Sequence, residues 1–271
     1  MISPVQLADA REFLAGLPSN SVHLLIADPP FRTTRLAFDQ RHTPGDWPAW
    51  WKEAERVLVP AGIVAMFTAG LFTFEMYAAN PHLYRYRKVW EKSKPTNFLS
   101  ANRQPLNVHE DILIFGRNGD ASTYNPQKQL SGCPNKTNLN KKAQRIEHYG
   151  RHRAKDYVDD GTRFPSSVMF YPSVPTVHTL NPTEKPLGLM RELVLTYTNP
   201  GEKVVDCFCG SGVSAVASWL EGRDFAGCDD DPEQVGQANA RLRRAERGQF
   251  APPIKKKAAA SFNLFKQDEE P

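Results

Sequence analysis

Residues 204–218 read VVDCFCGSGVSAVAS. A short apolar run stops at Asp206. Phe208, Gly210, Ser211 and Gly212 follow, and then small and apolar residues that suit a helix. The order is strand, glycine turn, helix. Glycines let the backbone turn sharply and approach a ligand closely. The N-terminus of the following helix offers unpaired N–H groups and a positive partial charge. The next apolar run, Phe225–Cys228, ends in Asp229-Asp230-Asp231, with Asp229 lying 17 residues beyond Gly212. A carboxylate at the end of the second strand of such a unit typically hydrogen-bonds ribose hydroxyls. The stretch therefore predicts a parallel α/β sheet with a nucleotide-like ligand over its glycine turn.

A second strand end is as distinctive. Leu24–Thr34 reads LLIADPPFRTT. An apolar run closes on Asp28, two prolines of fixed φ and Phe31. Alone, Asp-Pro-Pro is a common surface turn. It gains meaning if its strand lies beside the one ending at Asp206.

The rest of the chain alternates in the same way. A helix is expected over 4–17, a strand over 21–27, and an amphipathic helix over 46–60 with Trp47, Trp50, Trp51, Ala54, Val57 and Leu58 at helical spacing. A strand is expected at 63–69, a helix at 73–80, strands at 85–92 and 109–117, and a helix at 186–198 closed by Asn-Pro-Gly. After the strand 204–207 come a helix at 213–220, a strand at 225–228 and a helix from Asp231. Strands alternating with helices predict a doubly wound, Rossmann-like, mostly parallel sheet.

The 271 residues carry a formal net charge of +4, and the excess is local. Between Lys128 and Arg163 nine Lys or Arg face four Asp or Glu, a net of +5, so the remainder is close to neutral. The surrounding text, 121–175, is polar and aperiodic, and long insertions of this kind in a compact fold usually have a function. We read it as an insert that contacts nucleic acid through Lys128, Lys136, Lys141, Lys142, Arg145, Arg151 and Arg153. Residues 1–120 and 176–245 form the main domain, and 246–271 read as a disordered tail. Met1–Arg11 lacks the apolar centre of a signal peptide, and no apolar run approaches a membrane-spanning length. These features lead us to expect a cytoplasmic protein with no membrane partner. Cys133, Cys207, Cys209 and Cys228 read as reduced thiols without a metal or disulfide role, because Cys207 and Cys209 are one residue apart, too close for usual zinc spacing.

Three motifs together resemble one family. Asp28-Pro29-Pro30-Phe31 after an apolar strand looks like the catalytic motif of amino-directed DNA methyltransferases. DCFCGSG, 206–212, looks like their S-adenosylmethionine loop. NPTEKP, 181–186, looks like the motif that precedes that loop in the circularly permuted β group, although that group usually has His where Asn181 stands. The order of motifs is the β group's order, and the resemblance covers about residues 5–120 and 165–242. It implies S-adenosylmethionine as cofactor and double-stranded DNA as substrate, with the basic insert as target-recognition segment. It also raises a homodimer and a cognate restriction enzyme as candidate partners. By the resemblance Thr183 and Lys185 reach the methionine carboxylate, Asp9 receives the adenine amine of the cofactor, and Asp206, Phe208, Gly210, Ser211, Gly212 and Asp229 complete the cofactor site. The runs RVLVP, 56–60, and VHEDILIF, 108–115, read as core, with His109 structural.

The residue types fit the chemistry. An exocyclic amine is a poor nucleophile because its lone pair is delocalised into the ring. Asp28 and the Pro29 carbonyl can accept its hydrogens and draw it toward tetrahedral geometry, while Phe31 offers a stacking face to a flipped base. Asp at the first motif position favours adenine, with the cytosine amine as alternative. Carbon-5 cytosine chemistry is set aside because Cys133 precedes Pro134 instead of following a proline. Gly210, Gly212 and Ala215 also match a dinucleotide fingerprint, but Asp206 would oppose a pyrophosphate there, so a nicotinamide oxidoreductase is a remote alternative. A non-catalytic DNA-binding module is another, and it predicts damaged motifs.

Overall fold

The computed structural model describes residues 2–32, 47–117, 122–130, 145–146, 150–151, 159–175 and 183–249, with 145–146 and 150–151 as backbone. The chain divides into two compact units, Met1–Asn125 with Ser167–Pro271, and Pro126–Ser166.

The larger unit is built on one sheet. Its strands are β1 (Gln6–Leu7), β2 (Val22–Ala27), β3 (Leu58–Thr68), β4 (Tyr84–Thr96), β5 (Asn107–Gly116), β10 (Val168–Phe170), β11 (Lys203–Asp206) and β12 (Asp224–Asp229). The helices are α1 (Ala10–Ala15), α2 (Trp47–Val57), α3 (Leu71–Ala79), α4 (Leu187–Tyr197), α5 (Val213–Leu220) and α6 (Pro232–Glu246). The strand order is β1-β12-β11-β2-β3-β5-β4-β10. All neighbours run parallel except β5, which is antiparallel to β3 and β4.

Side chains alternate across this sheet, as period two requires. Leu24, Ile26, Ile63, Ala65, Phe67, Ile112 and Ile114 face a layer made with α4, α5 and α6. Leu25, Ala27, Val64, Met66, Leu113 and Phe115 face the opposite layer, made with α1, α2 and α3. The helices divide this way because connections are right-handed. From β11 the chain crosses through α5 to β12, and from β2 it crosses through α2 to β3 in the other direction. The change of direction lies between β11 and β2, where Asp206 is paired with Ile26. Crevices at such switch points, beyond the carboxyl ends of the strands, are where ligands bind in open α/β sheets. The two strand ends therefore meet in one place.

Several elements differ from expectation. The first segment is not one helix. Gln6–Leu7 pairs with Cys228–Asp229 as an edge strand, and Asn239 on α6 fixes it by bonding both the N–H and the carbonyl of Val5, at 2.8 and 2.9 Å. The helix α2 ends at Val57, and β3 begins at once at Leu58, so Pro60 lies within a strand near a register shift in the β2–β3 pairing. Within the run read as core, Val108 is 43% exposed and His109 is also exposed; burial starts at Asp111. The smaller unit is shorter than the segment marked by composition, because Val168–Phe170 pairs with β4 and Tyr171 packs into the core.

Within Pro126–Ser166 the described strands are β6 (Gln129–Leu130) with β9 (Thr162–Arg163), and β7 (Arg145–Ile146) with β8 (Gly150–Arg151). Among the described residues no helix is long and apolar enough to cross a membrane. Cys207, Cys209 and Cys228 are free and buried, and burial pushes the thiols up in pKa.

Candidate active site

The glycine turn is held from three sides. Asp206, 1% exposed at the end of β11, accepts the Phe208 N–H at 2.9 Å. Asp229, at the end of the adjacent β12, accepts the Gly210 N–H at 2.7 Å and the Asp231 N–H at 3.0 Å. Arg241 on α6 donates to Ser211 Oγ at 3.0 Å and to Glu184 at 2.8 Å, tying the turn to the segment before α4. Asp229 thus shapes the turn itself, and Phe208 lies half-buried against the α1–α3 layer.

Gly212 is required at its position. Its φ is +74°, and an added Cβ would lie 2.7 Å from the Ala238 Cβ on α6. Gly212→Val combines left-handed strain with a clash against a packed helix. We expect a loss of about 2–4 kcal/mol of stability and at least a tenfold loss of cofactor affinity, read by thermal unfolding and titration calorimetry. Wild-type behaviour would mean that α6 yields at this contact.

Asp9 follows β1, one residue beyond Ala8, whose N–H donates to the Asp229 carbonyl at 3.1 Å. It caps α1, accepting the N–H groups of Arg11 and Glu12 at 2.9 and 3.3 Å. Burial works to raise its pKa, but these bonds and the Arg11 guanidinium hold it below the usual carboxylate value.

The second strand end carries a chain of charges in which Lys185 is buried and Lys92, Glu110 and Asp28 are half-buried. Lys185, 4% exposed, places Nζ 2.6 Å from Asp28 Oδ2 and 3.4 Å from Glu110 Oε2. Lys92 on β4 closes the chain at 3.2 Å from Glu110 Oε1. The order is Lys92, Glu110, Lys185, Asp28. Burial is the main influence on Asp28, raising it to about 6; Lys185 lowers it and Glu110 raises it. For Glu110 burial also pushes up, but the two lysines reverse this and hold it below the usual value. Lys185 is raised, since Asp28 and Glu110 outweigh its burial. Among the described residues Asp206 has no such cation, and burial lifts it to about 7, with Asp28 and Asp229 adding to the rise.

Around Asp28 the Asp-Pro-Pro-Phe turn is fixed. Pro29 is buried and Pro30 half-buried. Phe31 stacks on Phe72 with centroids 5.6 Å apart, and Lys185 Nζ lies 5.5 Å from the Phe31 ring centroid. Arg32, at φ +58°, pairs with Glu75 on α3 and holds the chain beyond Phe31.

Sequence reading had grouped Asp28, Lys185, Asp206 and Asp229, and all lie on this edge of the sheet. It had pointed Lys185 at a cofactor carboxylate, whereas its ammonium lies on Asp28. Thr183 is exposed in the turn before α4. Glu110, Lys92, Glu184 and Arg241 were missed. One signal could have found Glu110. Period two puts it on the face of Ile112 and Ile114, and a carboxylate there requires a partner. In the smaller unit Lys128 pairs with Asp160 at 3.1 Å and lies 5.0 Å from the Phe164 ring centroid. Lys136, Lys141, Lys142, Arg153, Asn181 and Cys133 lie outside the described residues, as does the chain beyond Gln249.

A glycine turn and an Asp-Pro-Pro-Phe turn at one switch point make a specific constellation. The family model for DNA methylases of the N6/N4 methyltransferase type matches residues 22–240. The chain belongs to this DNA methylase family. Among curated relatives, it is 25% identical over 268 residues to the type II methyltransferase M1.MboII of Moraxella bovis, covering 90% of this chain and 98% of that one. It is also 25% identical to the DNA adenine methyltransferase YhdJ of Escherichia coli, covering 96% and 89%. Among solved structures, TTHA0409 of Thermus thermophilus, a putative DNA modification methylase complexed with S-adenosyl-L-methionine, matches with a TM-score of 0.59 at 20% identity, covering 90% of this chain and 94% of that one. The cytosine-N4-specific PvuII DNA methyltransferase matches with a TM-score of 0.62 at 13% identity, covering 91% and 93%. These likenesses show the same doubly wound fold.

Proposed function

We propose that this chain methylates the exocyclic amine of adenine in DNA, with S-adenosylmethionine as methyl donor. The observation that carries the reading is the juxtaposition of Asp28-Pro29-Pro30-Phe31 with the glycine turn across the β2–β11 pair. Asp at the first motif position and the likeness to an adenine methyltransferase over 96% of the chain favour adenine. The cytosine amine is the second reading, favoured by the fold shared with a cytosine-N4 enzyme.

The residues fit the cofactor. Its methionine part carries an ammonium, and Asp206, lifted to about 7 by burial, would be drawn into its ionised form by one. The turn of Gly210 and Gly212 would hold the donor close to backbone, and Asp229 is at the strand end suited to ribose hydroxyls. When bound, S-adenosylmethionine supplies an electrophilic methyl group on a sulfonium. Asp28, ionised at neutral pH, accepts one hydrogen of the target amine, and the Pro29 carbonyl accepts the other. The amine lone pair is thereby directed at the donor, and positioning supplies much of the rate. As nitrogen gains the methyl group it becomes cationic, which the Asp28 carboxylate favours, and a group with pKa about 6 is suited to take the released proton. Phe31 presents a ring for the extruded base, and stacking of about 1–3 kcal/mol offsets part of the cost of flipping. The basic segment 128–163 is our candidate for target recognition.

The test is direct sequencing of modified bases in DNA from cells expressing the chain. One short motif carrying N6-methyladenine is expected. N4-methylcytosine would retain the mechanism and change the base. Unmodified DNA would overturn the reading.

A further inference from the structure

We infer that the β4–β5 hairpin, residues 93–108, is a second DNA-contacting element, one that grips the duplex beside the target base and inserts an apolar wedge into it. The inference rests on the proposed reading that DNA is the substrate, and it adds an element outside the basic insert.

Topology places the hairpin. Because β5 is antiparallel to both β3 and β4, β4 runs parallel to β2, β3 and β11. Its carboxyl end therefore leaves the sheet on the edge where Asp28 and the glycine turn lie. The hairpin root is tied to that site by charge, since Lys92 on β4 pairs with Glu110 on β5, Glu110 with Lys185, and Lys185 with Asp28. Thr96 pairs with Asn107, so the two strands continue together past the root.

The composition of the tip is unusual for a solvent loop. From Lys92 to Val108 there are three cations, Lys92, Lys94 and Arg103, and no acid. Lys94 and Arg103 are exposed. The tip presents Phe98 at 73% and Leu99 at 89% exposure, on a short 3-10 turn entered through Asn97 at φ +66°. Adjacent exposed apolar side chains flanked by cations are costly in water but match two properties of a duplex. Phosphates attract Lys and Arg, and a base step can be opened by an apolar side chain. Extruding a base requires its stack to be broken. The absence of any acid argues for a polyanion over a second protein surface.

The test uses the full chain and two double variants. Lys94→Ala with Arg103→Ala should weaken binding to random-sequence duplex at least tenfold and reduce the slope of log K against log salt by roughly two. Phe98→Ala with Leu99→Ala should lower kcat on duplex DNA at least tenfold while leaving S-adenosylmethionine affinity and the unfolding midpoint at wild-type values. Wild-type salt slope and wild-type kcat in these variants would overturn the inference. So would an apolar-tip variant that turns a dimer into a monomer by sedimentation while keeping wild-type DNA affinity and kcat, since the tip would then be a subunit contact. If the cation variant loses DNA affinity but the wild-type chain methylates no base, the hairpin stands as a DNA contact and the proposed reaction fails.

Discussion

Asp28→Ala is expected to lower methyl transfer to DNA by about three orders of magnitude while S-adenosylmethionine still binds within severalfold of wild type. Both halves follow from the site's division between two strand ends. The glycine turn depends on Asp206, Asp229 and Arg241, and none of these contacts involves Asp28. The target amine, in contrast, has the Asp28 carboxylate and the Pro29 carbonyl as its two acceptors. Removing the first leaves the lone pair delocalised and the developing cation without its counter-charge. The alanine also leaves Lys185 with Glu110 as its counter-ion at 3.4 Å, so a modest loss of stability is expected. Asp28→Asn is the sharper control. Its carbonyl can still accept one hydrogen bond, but its NH2 takes the place of the second acceptor, so the shape is kept while the charge and one acceptor are lost. We expect Asn to recover a small part of the rate. Rates are read by transfer of labelled methyl groups, and cofactor binding by calorimetry. Turnover at the wild-type level in either variant would remove Asp28 from the mechanism.

What could be read from sequence was what lies close together in sequence. The glycine turn, its strand and its helix occupy 204–220, and Asp-Pro-Pro-Phe occupies four consecutive positions, so their local geometry follows from residue type. The doubly wound sheet follows from alternating strands and helices. The Lys92–Glu110–Lys185–Asp28 chain was not legible. Its members come from β4, β5, the turn before α4 and the end of β2, and only strand pairing brings them together. The edge strand at Gln6–Leu7 was missed for a similar reason, since two residues carry no periodicity and their pairing with Cys228–Asp229 is long-range. Nothing in the sequence marks the β4–β5 hairpin, between the strands expected at 85–92 and 109–117, as a functional element, because exposure of Phe98 and Leu99 depends on what does not pack over them.

The charge chain leads to the second large effect, in which two substitutions move the same titration in opposite directions. Lys185 lowers the Asp28 pKa and Glu110 raises it, and the balance, dominated by burial, lies at about 6. Methyl transfer requires ionised Asp28, so the rate should fall as pH drops through about 6. Lys185→Met removes the lowering influence and leaves Glu110 repelling Asp28. The acid limb of the pH–rate profile should then move to higher pH, and turnover at neutral pH should drop at least tenfold. Two half-buried carboxylates also lose their shared cation, so a loss of stability is expected, although Lys92 still serves Glu110. Glu110→Gln removes the raising influence and leaves Lys185 wholly to Asp28, so its acid limb should move to lower pH. Lys185→Arg keeps the charge and should keep the limb near its wild-type place even if kcat falls. A role confined to holding the fold would lower the rate or the unfolding midpoint in all three variants without displacing the limb. Displacement in opposite directions requires that these side chains set the protonation of Asp28, and an unmoved limb in Lys185→Met would show that they do not.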